Sequence, residues 1–279
     1  MQRRNAGGGG WGINAEERTK GFPDVSPGRS AGPSRKQKPS PLHFLLWATG
    51  VFADGVSSQE IVGYQTYKLN SGYGMTTSTF APTGESGISL QSLIPAGAGV
   101  GGYGDVVIQR MNDSGEWSGE FAWWTKENLG GDASDGWYDT EMNRANEEIG
   151  YKEGLFAQAG EDVSLVYSGM VAQGTIETAL PNGYSMTGNA RPKELSIQEI
   201  IPQGTGVGGY GDIVIQTMNA EGSWDGEFAW WTKENLGGSA QDGWYDTEMN
   251  RADATIRPGE GFFVQTSADD VKLTYSSSL

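Results

Sequence analysis

Short apolar alternations separated by glycine-rich turns run through the chain from about residue 60 onward, and this period predicts strands, not helices. The clearest runs are Asp212 to Met218 (DIVIQTM), Glu227 to Thr232 (EFAWWT), Gly261 to Thr266 (GFFVQT) and Val271 to Tyr275 (VKLTY). In the last, Val271, Leu273 and Tyr275 share one face while Lys272 and Thr274 point away. Turn signals separate the runs: Asn219 to Gly222, Gly237-Gly238, Asp242-Gly243 and Pro258-Gly259. The segment Leu195 to Ile201 has apolar residues at i, i+2, i+5 and i+6, which suits either a helical turn or a strand. The pattern predicts an all-β fold with little helix, built as small β-sandwich or barrel-like units.

The pattern is written twice. Val100 to Ala145 and Val207 to Ala252 align without a gap and match at 38 of 46 positions; the differences fall at 106, 110, 113, 114, 116, 118, 132 and 134. The flanks align more loosely: Gly63 to Met75 with Gly174 to Met186, and Val163 to Tyr167 with Val271 to Tyr275. Two tandem units therefore span 60–168 and 172–279, each the size of a small domain. The joint at Ser168 to Ala172 is too short for a free linker, so the units are expected to pack closely or to share a sheet. Either the well-matched block carries the duplicated task, or gene conversion has homogenised it.

The first 53 residues change the picture of the compartment. Residues 1–40 hold eight Arg/Lys, a Gly7 to Gly10 run and no apolar period, a composition that predicts disorder. A basic stretch at Arg35 to Lys38 then precedes the apolar run 41–53, which ends Val51-Phe-Ala53 and reads as a secretory signal. The run is too short to span a bilayer. Cleavage after Ala53 leaves 11 Arg/Lys against 32 Asp/Glu, a net charge of −21. Such a charge disfavours nucleic acid and anionic membrane, and favours cations or basic partners.

Absences constrain the chemistry. There is no cysteine, and the one histidine, His43, lies within the signal-like run. A His-based triad or imidazole metal site is therefore excluded from a processed chain. Carboxylate chemistry remains: Glu120, Glu127 and their twins Glu227 and Glu234 are the residues a glycoside hydrolase would need. Two near-identical active sites in one short chain are unusual, whereas two copies of a weak binding site add avidity, so a non-enzymatic protein is expected.

The duplicated aromatics supply the candidate binding surface. In the strand Glu120 to Thr125, Phe121 and Trp123 share one face and Trp124 takes the other, so one member of each Trp pair belongs to a core. The expected stacking set is Trp124 and Trp231 with Trp137, Trp244, Tyr138 and Tyr245; the competing account packs all of them into cores or between the units. Beside them lie Asp135, Asp139 and Glu141 with twins Asp242, Asp246 and Glu248, a set of carboxylates that either holds Ca²⁺ or caps turns. The loop Val100 to Asp105 and its twin are glycine-rich, but no Lys-Ser/Thr follows and a strand comes next. A tight turn, not a phosphate cradle, is expected.

Copy 2 ends Ile256-Arg-Pro-Gly-Glu-Gly-Phe-Phe-Val264, after Gly183-Tyr184, Ile201-Pro202 and Gly243-Trp244. This order of motifs resembles secreted β-rich repeat modules of planctomycete and verrucomicrobial type. The resemblance implies an extracellular module and carries over no catalytic residue; copy 1 departs from it at Tyr151 to Ala157, which lacks the Pro-Gly. Together these features predict an exported tandem-repeat protein, secreted or at the cell surface or in the periplasm, binding a glycan or a protein partner. A purely structural surface-assembly protein is the alternative, and a carboxylate-based glycosidase the third reading.

Overall fold

The computed structural model describes residues 62–82, 87–97, 100–102, 104–131, 133–204, 206–209, 211–238, 240–268 and 270–277; the basic segment and the signal-like run lie outside the described residues. Copy 1 comprises β1 (Val62–Leu69), β2 (Gly72–Thr77), β3 (Ile88–Ser89), β4 (Ile94–Ala96), β5 (Val106–Met111), β6 (Trp117–Trp124), the one-turn helix α1 (Lys126–Leu129), β7 (Gly136–Asp139), β8 (Glu148–Ile149), β9 (Gly154–Ala159) and β10 (Val163–Met170). Copy 2 repeats the order with β11 (Thr175–Leu180), β12 (Gly183–Gly188), β13 (Leu195–Ser196), β14 (Ile201–Gln203), β15 (Ile213–Met218), β16 (Trp224–Trp231), α2 (Lys233–Leu236), β17 (Gly243–Tyr245), β18 (Thr255–Ile256), β19 (Gly261–Thr266) and β20 (Val271–Ser276). The ambiguous segment Leu195 to Ile201 is both things at once: two short strands joined by a 3₁₀ turn at Ile197–Glu199.

Each copy is an all-β sandwich. In copy 1 a five-stranded sheet, β2-β9-β5-β6-β7, faces a three-stranded one, β1-β10-β4, and β3 pairs with β8 at the side; copy 2 has the same three sheets. The core between the layers is filled by alternate residues of every strand, among them Tyr67 and Leu69, Val106 and Ile108, Phe121 and Trp123, Leu165 and Tyr167. Trp137 and Trp244 are completely buried at the two core centres, and their indole N–H groups donate to Leu93 O at 2.6 Å and Ile200 O at 2.7 Å. A glutamine holds the strand that carries each of them. Gln91 donates to the carbonyls of Trp137 and Ala145 (2.9 and 2.8 Å) and accepts from Trp137 N; Gln198 does the same for Trp244 and Ala252. The Trp137 and Trp244 carbonyls also accept the Ala145 and Ala252 N–H groups, so each glutamine side chain ties the strand to the segment that follows it.

Both copies fall within one compact unit, 56–279, because their sheets meet face to face at a seam. There Met75, Met186, Met218 and Phe263 form a third apolar cluster, with Met111 and Phe156 packed against it. Every member has its twin in the other copy, so the contact is reciprocal, as in an isologous dimer. Polar contacts obey the same rule: Thr76 Oγ1 donates to Gly259 O at 3.0 Å, and its twin Thr187 Oγ1 donates to Lys152 O at 2.8 Å. Among the described residues the copies share no sheet, and the bridge Thr76 to Glu260 joins them. The seam explains why β19 is buried on both faces over Gly261 to Val264, where a one-sided sandwich strand would alternate.

The tips of the two long hairpins close the seam. A Cβ on Gly115 would lie 2.5 Å from the Tyr184 carbonyl oxygen, and one on Gly222 would lie 2.7 Å from that of Tyr73. Both glycines have φ of +76°, so a side chain there meets strain as well as backbone. We expect Gly115→Ala and Gly222→Ala each to cost about 1–3 kcal/mol in thermal unfolding. Gly131→Ala, with φ +63° and nothing within 4 Å of the added carbon, serves as the strain control. Equal losses at all three positions would show that the hairpin tips contribute nothing to the seam.

Candidate functional site

The outer face of each five-stranded sheet carries a shallow cleft at the edge away from the seam strands. In copy 1, of about 30 Å³, it is lined by Glu120, Ala122, Trp124, Tyr138, Asp139, Thr140 and Met142. In copy 2, of about 60 Å³, the seven twins Glu227, Ala229, Trp231, Tyr245, Asp246, Thr247 and Met249 line it, with Val214. Strand register produces the arrangement. Ala122 lies opposite Tyr138 and Trp124 opposite Gly136, where the Gln91 amide and the Arg144 guanidinium occupy the space a side chain would need. The inward neighbours Trp123 and Trp137 meet edge to face at 5.6 Å, as do Trp230 and Trp244 at 5.5 Å.

The turn after each cleft is built by an aspartate. Asp139 Oδ1 accepts from the backbone N–H groups of Glu141 (2.9 Å) and Asn143 (2.8 Å), and its Oδ2 accepts from the Asn143 side-chain amide at 3.1 Å; Asp246 makes the same bonds with Glu248 and Asn250. The N–H donors, that of Asn143 or Asn250 first, hold both carboxyls below the ordinary aspartate range. The turn places Met142 and Met249 at φ +65°, a left-handed conformation that an unbranched side chain adopts at a cost, and leaves each 46 % exposed at the rim of its cleft.

Several expected site residues have other duties. Trp137 and Trp244 are fully buried and offer no face to a ligand, which removes them from the stacking set. Tyr138 and Tyr245 reach the clefts but are 7 % and 8 % exposed, their hydroxyls donating to Ser134 O and Gln241 O. Trp124 and Trp231 are half-buried against the sheet. Asp135 and Asp242 accept from the Lys126 and Lys233 N–H groups and cap the one-turn helices. Their carboxylates are thus separated from those of Asp139 and Asp246 by the length of a strand, and Glu141 and Glu248 are exposed. Among the described residues no group of three or more His, Cys, Asp or Glu converges, so the expected Ca²⁺ ligands do not form one set. Glu120 and Glu227 each accept from a cross-strand glutamine, Gln109 at 2.7 Å and Gln216 at 3.0 Å. In the glycine-rich loop the Asp105 carboxylate takes the Gly102 N–H at 2.7 Å, so the loop closes on its own acid and has that amide committed.

Two aromatics outside the expected stacking set are the most exposed tryptophans described. Trp117 and Trp224 are 54 % and 55 % exposed beside the seam, where Trp117 lies 5.8 Å from Phe156 and 6.1 Å from Phe263. Their place next to the hairpin tips was the available signal, but only the packing of the copies gives it meaning. No protein-family model, curated protein or solved structure matches this chain.

The aspartate turns set an acid limit. Because the folded carboxyls are depressed, their contribution is present above the unfolded value of about 3.9 and is lost as pH falls through the lower folded value. We expect Asp139→Asn with Asp246→Asn, which keeps the Oδ1 acceptor, to lower the melting temperature by more at pH 7 than at pH 2. A gap of the same size at both pH values would remove these turns as a source of acid sensitivity.

Proposed function

We propose that this chain is an exported, non-enzymatic binding protein that grips a surface polymer, a glycan strand, at two equivalent clefts. One observation carries the reading. In both copies an exposed methionine is held on left-handed backbone at the rim of a seven-residue cleft that is identical in the two copies. A turn selected only for stability would place Gly or Asn there, so the apolar side chain itself is what is retained. The differences within the 46-residue block support the same view. Five of the eight, at 110, 113, 114, 116 and 118, gather at the hairpin beside the seam, and none falls among the cleft residues.

Met142 and Trp124 present apolar and aromatic surface to a sugar ring, while Glu120 and Thr140 supply acceptors and a hydroxyl at the edge. Each shallow cleft binds weakly, and two on one rigid unit bind a polymer with avidity. The net negative charge favours neutral or basic polymers over acidic ones.

Adsorption to insoluble polysaccharides tests this directly. Losing one cleft through Trp124→Ala should weaken retention on the order of 10²-fold, and adding Trp231→Ala should abolish it. Those truncations also cost stability, so Met142→Gly with Met249→Gly is the cleaner pair. It removes the rim side chains and the backbone strain, keeps stability within about 1 kcal/mol of the parent, and should still release the polymer. Unchanged retention in the glycine pair, or no retention of any polysaccharide by the parent, would sink the proposal. The rival structural role draws on the exposed Trp117 and Trp224, and self-association in sedimentation, lost in Trp117→Ala with Trp224→Ala, would favour it.

A further inference from the structure

The seam is reciprocal in its packing but not in its contents. On one side, the wedge between β5–β6 of copy 1 and β11–β12 of copy 2 holds a cavity of about 440 Å³ that is broadly open to solvent. Strand register identifies what occupies the matching place on the other side. Tyr67 pairs with Leu165 in copy 1, and Thr178 pairs with the equivalent Leu273 in copy 2; likewise Gly74 pairs with Ala157 and Ser185 with Val264. A Cβ on Gly74 would lie 2.5 Å from Leu69 Cδ1 and 3.6 Å from the Tyr67 hydroxyl, so the two side chains together fill the space over the glycine, with the tyrosine on its outer side. Where copy 1 has a tyrosine ring above a glycine, copy 2 has two short hydroxyl side chains and a void.

The copy-1 wall of the void is equally particular. Positions 110, 113 and 118, three of the eight differences within the repeated block, line it. Arg110 makes a two-point pair with Glu153, at 2.6 and 2.9 Å. Lys152 stands at φ +74° where its twin is Gly259 at +73°, with its ammonium 5.4 Å from the Tyr151 ring centre and donating to the Glu177 carbonyl. A lysine kept on left-handed backbone, where the other copy uses glycine, points to a task for the ammonium. In the opposite wall, the hydroxyls of Thr178 and Ser185 are buried without a hydrogen-bond partner among the described residues. Neither has a bond to lose on rotating about χ1 toward a ligand, and each has one to gain.

We infer that this seam cavity is a single binding site for one neutral sugar residue, present once per chain. The volume lies in the range of small-molecule sites. Its hydroxyl, ammonium and guanidinium groups match ring hydroxyls, and Met186 and Leu180 supply an apolar wall for the ring's C–H face. The local charges cancel, Arg110 and Lys152 against Asp113 and Glu153, and the chain's net charge of −16 adds a field that repels anions. The site shares no residue with the clefts at Trp124 and Trp231, so the two readings fail separately.

The test titrates the full chain with glucose, galactose, mannose and N-acetylglucosamine, with glucuronate and p-cresol as contrasts, by calorimetry and amide NMR. We expect one neutral sugar to bind at one site per chain and to shift the resonances around Tyr151, Lys152 and Ser185. Thr178→Tyr with Ser185→Gly rebuilds the filled side of the seam and should weaken this binding by roughly tenfold or more, as should Lys152→Gly, whose fold is eased by relief of strain. Glu127→Gln with Glu234→Gln, exposed on the one-turn helices and outside both kinds of site, should leave it unchanged. The inference is overturned if no neutral sugar binds, if only glucuronate or p-cresol does, or if binding survives both Lys152→Gly and the Thr178→Tyr, Ser185→Gly pair.

Discussion

The structure depends on the seam where β2 and β9 of one copy lie against β12 and β19 of the other. A small sandwich of about 105 residues buries one face of each sheet and leaves the other to water. Met75, Met111, Phe156 and their twins make part of that second face apolar, and such a patch on an isolated copy would be a liability. Joining two copies through a short connection turns the liability into a core. The reciprocal threonine-to-carbonyl bonds then fix how the faces meet, since apolar contact alone is non-directional.

That constraint sorts the rest of the surface. Residues near the seam meet unlike partners, because β11 and β12 are only loosely matched to β1 and β2 in sequence, so they are free to diverge between copies. Arg110 became the partner of Glu153, whereas the twin Glu260 takes Arg257, from a position occupied in copy 1 by Gly150. At the far edge, the second half of β6 from Gly119 on, β7 and the turn that follows meet the same neighbours in each copy and stay the same. The twin clefts lie in the region that remained symmetric, and the single cavity lies in the region that did not.

Much of the fold was legible from periodicity. The alternation in Glu120 to Thr125 correctly separates Trp123 from Trp124, because strand period is local and the repeat doubles the signal. Trp137 was not legible as core. It stands in a Gly-Trp-Tyr-Asp run of only four residues, and its burial is decided by Gln91 and Leu93, over 40 positions away, through bonds to its backbone and indole. The arrangement of the acidic loop was hidden for a related reason. Asp135, Asp139 and Glu141 are close in sequence, yet a strand between the first two sends their carboxylates to a helix cap and to a turn. Capping was one of two open accounts, and the hydrogen bonds show the caps.

The seam cavity was beyond any reading of one copy, because it is defined by a difference. Thr178 in isolation is an ordinary strand residue, and only its register against Leu273, compared with Tyr67 against Leu165, shows that a ring is missing. Duplication makes such comparisons possible inside one chain. The second copy serves as an internal reference for the first, in the same solvent and with the same backbone path. Where the copies agree despite a strained backbone, as at Met142 and Met249, the side chain is what has been kept. Lys152 and Gly259 are the opposite case: they disagree at one shared backbone conformation, so the lysine is not there for the turn. A strained conformation thus separates residues retained for geometry from residues retained for chemistry, and it does so here without reference to any other protein.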